Sequence, residues 1–284
     1  MAIGLGRRRH AHLAAHGEIG ALSHLAPVRA PHPAVPHWLA GAREPVAQPA
    51  MAAAPLPAAA HTYIGPGAAA GAHHGPLYLD LETTGVEVDA AITCAVIRTA
   101  DDKVHVWHSG HGHTMTEETG NAVVDFLKHD VVTFNGAAFD LRMLWNLTKR
   151  NELKGIALDH RDVLVDFVAD NRYYASMDSF ATATLRGGKT NSGAWAATAW
   201  FNGQAEQVIE YCKEDTAVLK RLVEHVGTYG QLQRMTKANR RTTWVCPAMD
   251  GSIRCVRDAL ANVKPVPQWM SDPPQLPDVE WARS

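Results

Sequence analysis

Leu77-Tyr78-Leu79-Asp80-Leu81-Glu82-Thr83-Thr84-Gly85 opens the part of this 284-residue chain that alternates as a β-strand does. Residues two apart on a strand share a face. Asp80 and Glu82 therefore project together, while Leu77, Leu79 and Leu81 turn the other way, into a core. Two carboxylates on one strand face repel unless positive charge lies between them, and a divalent cation is the usual solution. Taken by itself, the motif also fits a solvated strand face ending in a turn.

Residues 91–99 and 104–107 read as two more strands, joined by a turn at Asp101-Asp102. Residues 116–129 have helical spacing, with Val123, Phe126 and Leu127 on one face. Residues 131–134 form a short apolar strand, and residues 138–150 a helix with Leu141, Leu144, Trp145 and Thr148 inward. A further strand is expected at 156–158, a helix at 162–169 and a short helix at 179–185. Residues 186–194 read as a Gly-rich polar loop, and residues 206–225 as a long amphipathic helix. Three strands followed by alternating helices and strands imply an α/β fold, a mixed sheet with helices on both faces. Further on, 242–246 and 253–256 read as strands of a C-terminal β-hairpin turning at Asp250-Gly251. That register makes Cys246 and Cys255 neighbours, either as packed thiols or as a bridge.

Upstream, residues 1–75 are rich in Ala, Pro, His and Gly, with few aromatics. Such a segment buries too little apolar surface to offset its ordering entropy, so a disordered tail is expected. Its five Arg against two Glu also admit a targeting role. It carries about +3, leaving −5 on the remainder of a chain whose net charge is −2. Four Cys in this length do not make a disulfide scaffold. No stretch approaches the ~20 apolar residues of a membrane span. A soluble intracellular protein of cytoplasm or nucleus is the expectation, and organelle targeting by the tail stays open.

Two more carboxylate motifs follow. Val132-Thr133-Phe134-Asn135-Gly136 leads into Phe139-Asp140, which puts an acid in the first turn of a helix. Helix capping is the competing role for Asp140. In Tyr211-Cys212-Lys213-Glu214-Asp215, Tyr211 and Asp215 are four apart and share a helix face, offset from a core stripe of Val208, Cys212, Leu219 and Leu222.

In order, spacing and context the three motifs resemble the DEDD exonuclease superfamily, over about residues 77–226. Asp80 and Glu82 match its first motif, Asp140 its second, and Tyr211 with Asp215 its third. The histidine subclass needs His five before the last Asp, and Glu210 stands there, so the resemblance is to the tyrosine subclass. The stretch from Asp162 through Met177-Asp178-Ser179, Gly187-Gly188-Lys189 and Tyr211-Cys212 is similar to stand-alone relatives of the family-B polymerase exonuclease domain. The resemblance implies a ribonuclease-H-like fold and a 3′–5′ exonuclease acting on DNA or RNA. It implies two divalent cations, Mg²⁺ or Mn²⁺, held by Asp80, Glu82, Asp140 and Asp215, and a water oriented by Tyr211. No His or Cys belongs to the motif set, which argues against Zn²⁺.

Thr83, Thr84 and Asn135 are candidate contacts to a terminal nucleotide, Phe139 to its base, and Arg186 and Lys189 to phosphates. Residues 231–264 hold seven Lys or Arg against two Asp, a candidate strand-binding surface. His108, His111 and His113 are a weaker candidate metal cluster. The expected partner is single-stranded or 3′-terminal nucleic acid, in company with a polymerase, helicase or other replication or repair protein. The expected organisation is a tail over 1–75, an exonuclease domain over 76–230 and a basic extension with a hairpin over 231–284. A structure-specific endonuclease on the same fold, a catalytically silent nucleic-acid-binding module and an interaction protein working through its tail are the alternatives.

Overall fold

The computed structural model describes residues 75–87, 89–127, 130–187 and 193–284. The expected tail, apart from Gly75, and Lys189 of the Gly-rich loop lie outside these residues. Five strands form the main sheet: β1 (Leu77–Thr83), β2 (Ile92–Thr99), β3 (Val104–Trp107), β4 (Val131–Thr133) and β5 (Arg161–Asp162). Their order in space is β3-β2-β1-β4-β5. β1 pairs antiparallel with β2 and parallel with β4, so the sheet is mixed.

β1 lies in the middle, and its alternation sorts its side chains between two cores. Leu77, Leu79 and Leu81 meet the inner residues of α1 (Glu117–Phe126), α2 (Asp140–Thr148) and α3 (Glu152–Asp159), among them Val123, Leu141, Leu144 and Leu153. α1 starts where the Thr116 hydroxyl accepts the Thr119 N–H, a capping bond. On the opposite face, Tyr78 and Val132 pack with α4 (Val163–Asn171) and with Phe180 of α5 (Met177–Phe180), which runs into a π-helical turn at Ala181–Leu185. α6 (Gly193–Phe201) and the long α7 (Ala205–Tyr229) complete that layer. The expected stripe of Val208, Cys212, Leu219 and Leu222 is buried on α7.

Three expectations are corrected. Residues 156–158 are not a strand but the last turns of α3, whose Leu153 and Ala157, four apart, face the core. A three-residue apolar run cannot distinguish strand from helix. The Gly-rich loop does not extend to 194, because α6 starts at Gly193. Its Ala196, Ala199 and Trp200 sit at helical spacing and are all buried. The C-terminal hairpin exists but uses other strands. β6 (Gln231–Met235) pairs with β7 (Arg241–Val245), and the chain turns over residues 236–240. Gly230, at φ +65°, ends α7 and sends the chain straight into β6, so no separate loop announces that strand. Asp250-Gly251 does make a turn, yet Cys255 beyond it bridges to Arg161 and precedes α8 (Val256–Ala261) instead of pairing with Cys246. All four cysteines are free thiols.

The C-terminal region is interleaved with the main body. Leu232, Trp244, Cys246 and Ile253 enter the core that contains Phe167 and Phe180. Asp166 of α4 is fully buried and meets Arg254 at 2.7 Å. A last turn, α9 (Glu280–Arg283), lays Trp281 into the α1–α3 core.

Candidate metal centre and active site

Asp80 and Glu82 stand on the face of β1 that looks toward α7. Their cross-strand neighbours on β2 are Val96 and Cys94, which pack with Cys212 and Tyr211 of α7. The register shifts between Glu82 and Thr83, and the turn beyond is closed by side chains. The Thr83 hydroxyl donates to Gly85 O at 2.5 Å, and Thr84 Oγ1 accepts from Ala91 N at 3.0 Å. These bonds fix the strand end that carries the two acids.

Asp140 reaches the same place from the other side. Along β1, alternate N–H groups face β4. Leu77 N uses that edge to donate to Asp130 O. Beyond Tyr78, β4 no longer pairs with β1. The Leu81 N–H then donates to Asp140 Oδ1 at 2.9 Å. A carboxylate of the second motif is thus tied to the residue between Asp80 and Glu82. Burial pushes the Asp140 carboxyl up to about 7, and the charges of Asp162 and Asp215 push the same way.

The turn that delivers Asp140 is held by Asp162, a residue whose role the sequence did not reveal. Its buried carboxylate accepts Asn135 N at 2.9 Å and Ala137 N at 3.0 Å, and caps α4 through Leu164 N and Val165 N. Thr133 Oγ1 adds a bond at 3.0 Å and itself lies 2.8 Å from His160 Nε2. Burial works to raise this carboxyl, but His160 and the backbone donors outweigh it and the net shift is downward. Asn135 sits at φ +75° in the turn. Gly136 is required by space, because a Cβ there would lie 2.5 Å from the Thr133 Cβ.

On α7, Tyr211 and Asp215 are both buried, and Trp195 of α6 packs its ring edge-on to Tyr211. The next residue after Tyr211 is Cys212, whose thiol donates to Asp80 Oδ2 at 3.2 Å. Among the described residues, Asp80, Glu82 and Cys212 are the one group of three potential ligands whose donor atoms all lie within 4.8 Å. Asp140 and Asp215 fall outside that tight group. Burial and the Cys94 thiol beside it push the Cys212 pKa up, so it acts as a donor that steadies Asp80. The signal was present in the sequence: Cys212 lies four before Thr216 and seven before Leu219 on the stripe facing β1 and β2.

These residues fit a divalent cation. Asp80 and Glu82 share one face of β1, Asp140 is bonded to the backbone between them, the charge of Asp215 acts on Asp140, and such oxygen donors suit Mg²⁺ or Mn²⁺. The other candidates are placed differently. Phe139 precedes α2 half-buried against the α1–α3 core, and Arg186 is exposed at φ +58°. His108 and His111 pack against Trp200, and His111 lies 3.2 Å from Glu206.

The family model of the RNase_H superfamily matches residues 77–227, which spans β1 through α7 and all three acidic motifs. The chain belongs to the RNase_H superfamily. Its mixed five-stranded sheet with flanking helices is the fold expected of an RNase_H-superfamily protein, and membership points to nuclease activity. Among solved structures, the chain is similar to the family B DNA polymerase from the hyperthermophilic archaeon Pyrobaculum calidifontis. The identity is 15% and the TM-score 0.42, over 53% of this chain and 24% of the polymerase. The chain thus spans about a quarter of that protein's length. No curated protein matches the sequence. No described helix is long and apolar enough to cross a membrane.

Proposed function

We propose that this chain is a metal-dependent 3′–5′ exonuclease that removes nucleotides from single-stranded or 3′-terminal nucleic acid. The observation that carries this reading is the meeting of motifs at β1: Asp140 bonds the backbone of Leu81, between Asp80 and Glu82, while Asp80 bonds Cys212 of α7. Asp80, Glu82, Asp140 and Asp215 would hold two Mg²⁺ or Mn²⁺ ions. Such ions supply an activated water and neutralise charge on the leaving oxygen. Tyr211 would orient the attacking water with its hydroxyl. Cys212 holds the Asp80 carboxylate in place. Thr83, Thr84, Asn135 and Phe139 would contact the terminal nucleotide, and Arg186 and Lys189 would meet its phosphates. The catalytic unit covers residues 76–230, with residues 231–284 as its extension and 1–75 as its tail. A polymerase, helicase or other repair protein would present the 3′ end.

Incubation with 5′-labelled and 3′-labelled DNA and RNA oligonucleotides, in Mg²⁺, Mn²⁺ or EDTA, tests the reading. It predicts a ladder of stepwise shortening from 5′-labelled strands, mononucleotide release from 3′-labelled strands, and silence in EDTA. Internal cuts at a junction in place of a ladder would instead identify a structure-specific endonuclease. Binding without cutting would identify a silent module.

A further inference from the structure

The seven cations of residues 231–264 do not form one surface. Arg254 is spent on buried Asp166, Arg257 pairs with Asp159 at 2.8 Å, and Lys264 pairs with Asp170. Arg234 stands over the Tyr173 ring, 4.6 Å from its centre. These four fasten the C-terminal region to α4 and its neighbours. Lys237, Arg240 and Arg241 remain, all exposed at the tip of the β6–β7 hairpin. Among the described residues none of the three has a carboxylate partner. The sequence supplies none nearby either, since no Asp or Glu occurs between Glu224 and Asp250.

The hairpin is rigid at its base and open at its tip. Leu232 and Trp244, cross-strand partners, are buried in the main core. Thr184 Oγ1 both accepts from Gln233 N and donates to Gln233 O, clamping β6 to the π-helical turn. The tip turn is closed by Thr236, which exchanges bonds with Asn239 and Arg240. Exposed Thr242 and Thr243 continue the polar outer strand. A fixed arm ending in three uncompensated cations suits a polyanion with regularly spaced charges.

We infer that the tip of the β6–β7 hairpin, through Lys237, Arg240 and Arg241, holds the phosphate backbone of a single strand several nucleotides 5′ of the end being cleaved. This rests on the nuclease reading for the identity of the strand. The spacing follows from α7. The fourteen helical steps from Asp215 to Tyr229 rise about 21 Å to the base of the hairpin. A separation of that size spans several nucleotides of a single strand. A trinucleotide in the carboxylate site would not reach the tip, whereas a 15-mer would.

The test uses the full chain and its Arg240→Ala/Arg241→Ala double variant. Fluorescence anisotropy measures binding of labelled 15-nucleotide single-stranded DNA and RNA in EDTA, across a series of salt concentrations. Loss of two phosphate contacts should make the slope of log K against log salt shallower by about 1.4 and weaken binding about tenfold at 0.15 M salt. KM should rise for the 15-mer in Mg²⁺ and stay unchanged for a trinucleotide. Arg240→Lys/Arg241→Lys, which retains both charges, should restore most of the affinity. If the double alanine variant misfolds, Lys237→Gln alone should still reduce the slope by about 0.7. An unchanged slope and affinity in the variants would overturn the assignment, as would failure of the parent chain to bind either oligonucleotide. Weakened, salt-sensitive binding in a chain that cuts nothing would uphold the hairpin's role and reject the exonuclease reading. Intact cleavage with unaltered binding would do the reverse.

Discussion

Asp140 and Asp162 are both buried acids, and the structure treats them oppositely. Asp162 is surrounded by backbone N–H donors and His160, and its carboxyl is held below the ordinary value. Asp140 has one backbone donor from β1 and two anionic neighbours, and burial raises its carboxyl to about 7. The sign of the consequence follows by linkage. A raised folded pKa contributes stability that is complete below the unfolded value near 3.8 and is lost as pH rises through 7. In EDTA, the melting temperature should therefore fall between pH 4 and pH 8, and Asp140→Asn should flatten that fall. Added Mn²⁺ should recover the loss above pH 7, because a cation replaces the missing proton. Calorimetric scans across that range check both points. At the chemistry itself, Tyr211→Phe should slow cleavage by about 10²-fold, as expected for a group that orients water instead of holding a metal. Single-turnover rates on a 5′-labelled strand measure it.

The elements most legible in the sequence were those whose burial follows a simple period. β1 alternates because it is central and faces two different cores, and α7 shows its stripe because one of its faces covers the sheet. Asp80 and Glu82 were readable for the same reason, and Tyr211 with Asp215 by their helical spacing. Cys212, Asp162 and His160 were not read as parts of the site, because their partners lie far away in the chain and the contacts appear once the sheet is closed. β6 was hidden by short length and weak alternation, while Asp250-Gly251 offered a local turn signal that tertiary packing did not use for a hairpin. Two substitutions probe these elements. Gly136→Ala forces a Cβ onto buried Thr133 in the turn that delivers Asp140, and should cost about 1–3 kcal/mol. Arg254→Ala leaves the buried Asp166 carboxylate without its cation, and should cost about 3–5 kcal/mol. Urea unfolding of each variant measures the loss, and a change below about 0.5 kcal/mol in either, no more than an ordinary surface substitution gives, would contradict that packing.

At the scale of the molecule, the residues from β1 through α7 carry the RNase_H-superfamily match, and the C-terminal region is wound back into their cores through Trp244, Arg254 and Trp281. Truncation after residue 230 should therefore unfold the protein, whereas deletion of residues 1–74, whose composition favours a tail, should leave melting temperature and cleavage rate nearly unchanged. The central claim is that four carboxylates at the end of β1 make one metal-dependent centre for cutting at the 3′ end. Its most direct test follows a 5′-labelled single strand in Mn²⁺ with the parent chain and with folded Asp80→Asn and Asp215→Asn variants. The account predicts a ladder shortening one nucleotide at a time for the parent, and a rate lower by at least about 10³-fold for each variant. A ladder of undiminished rate in both variants would contradict it.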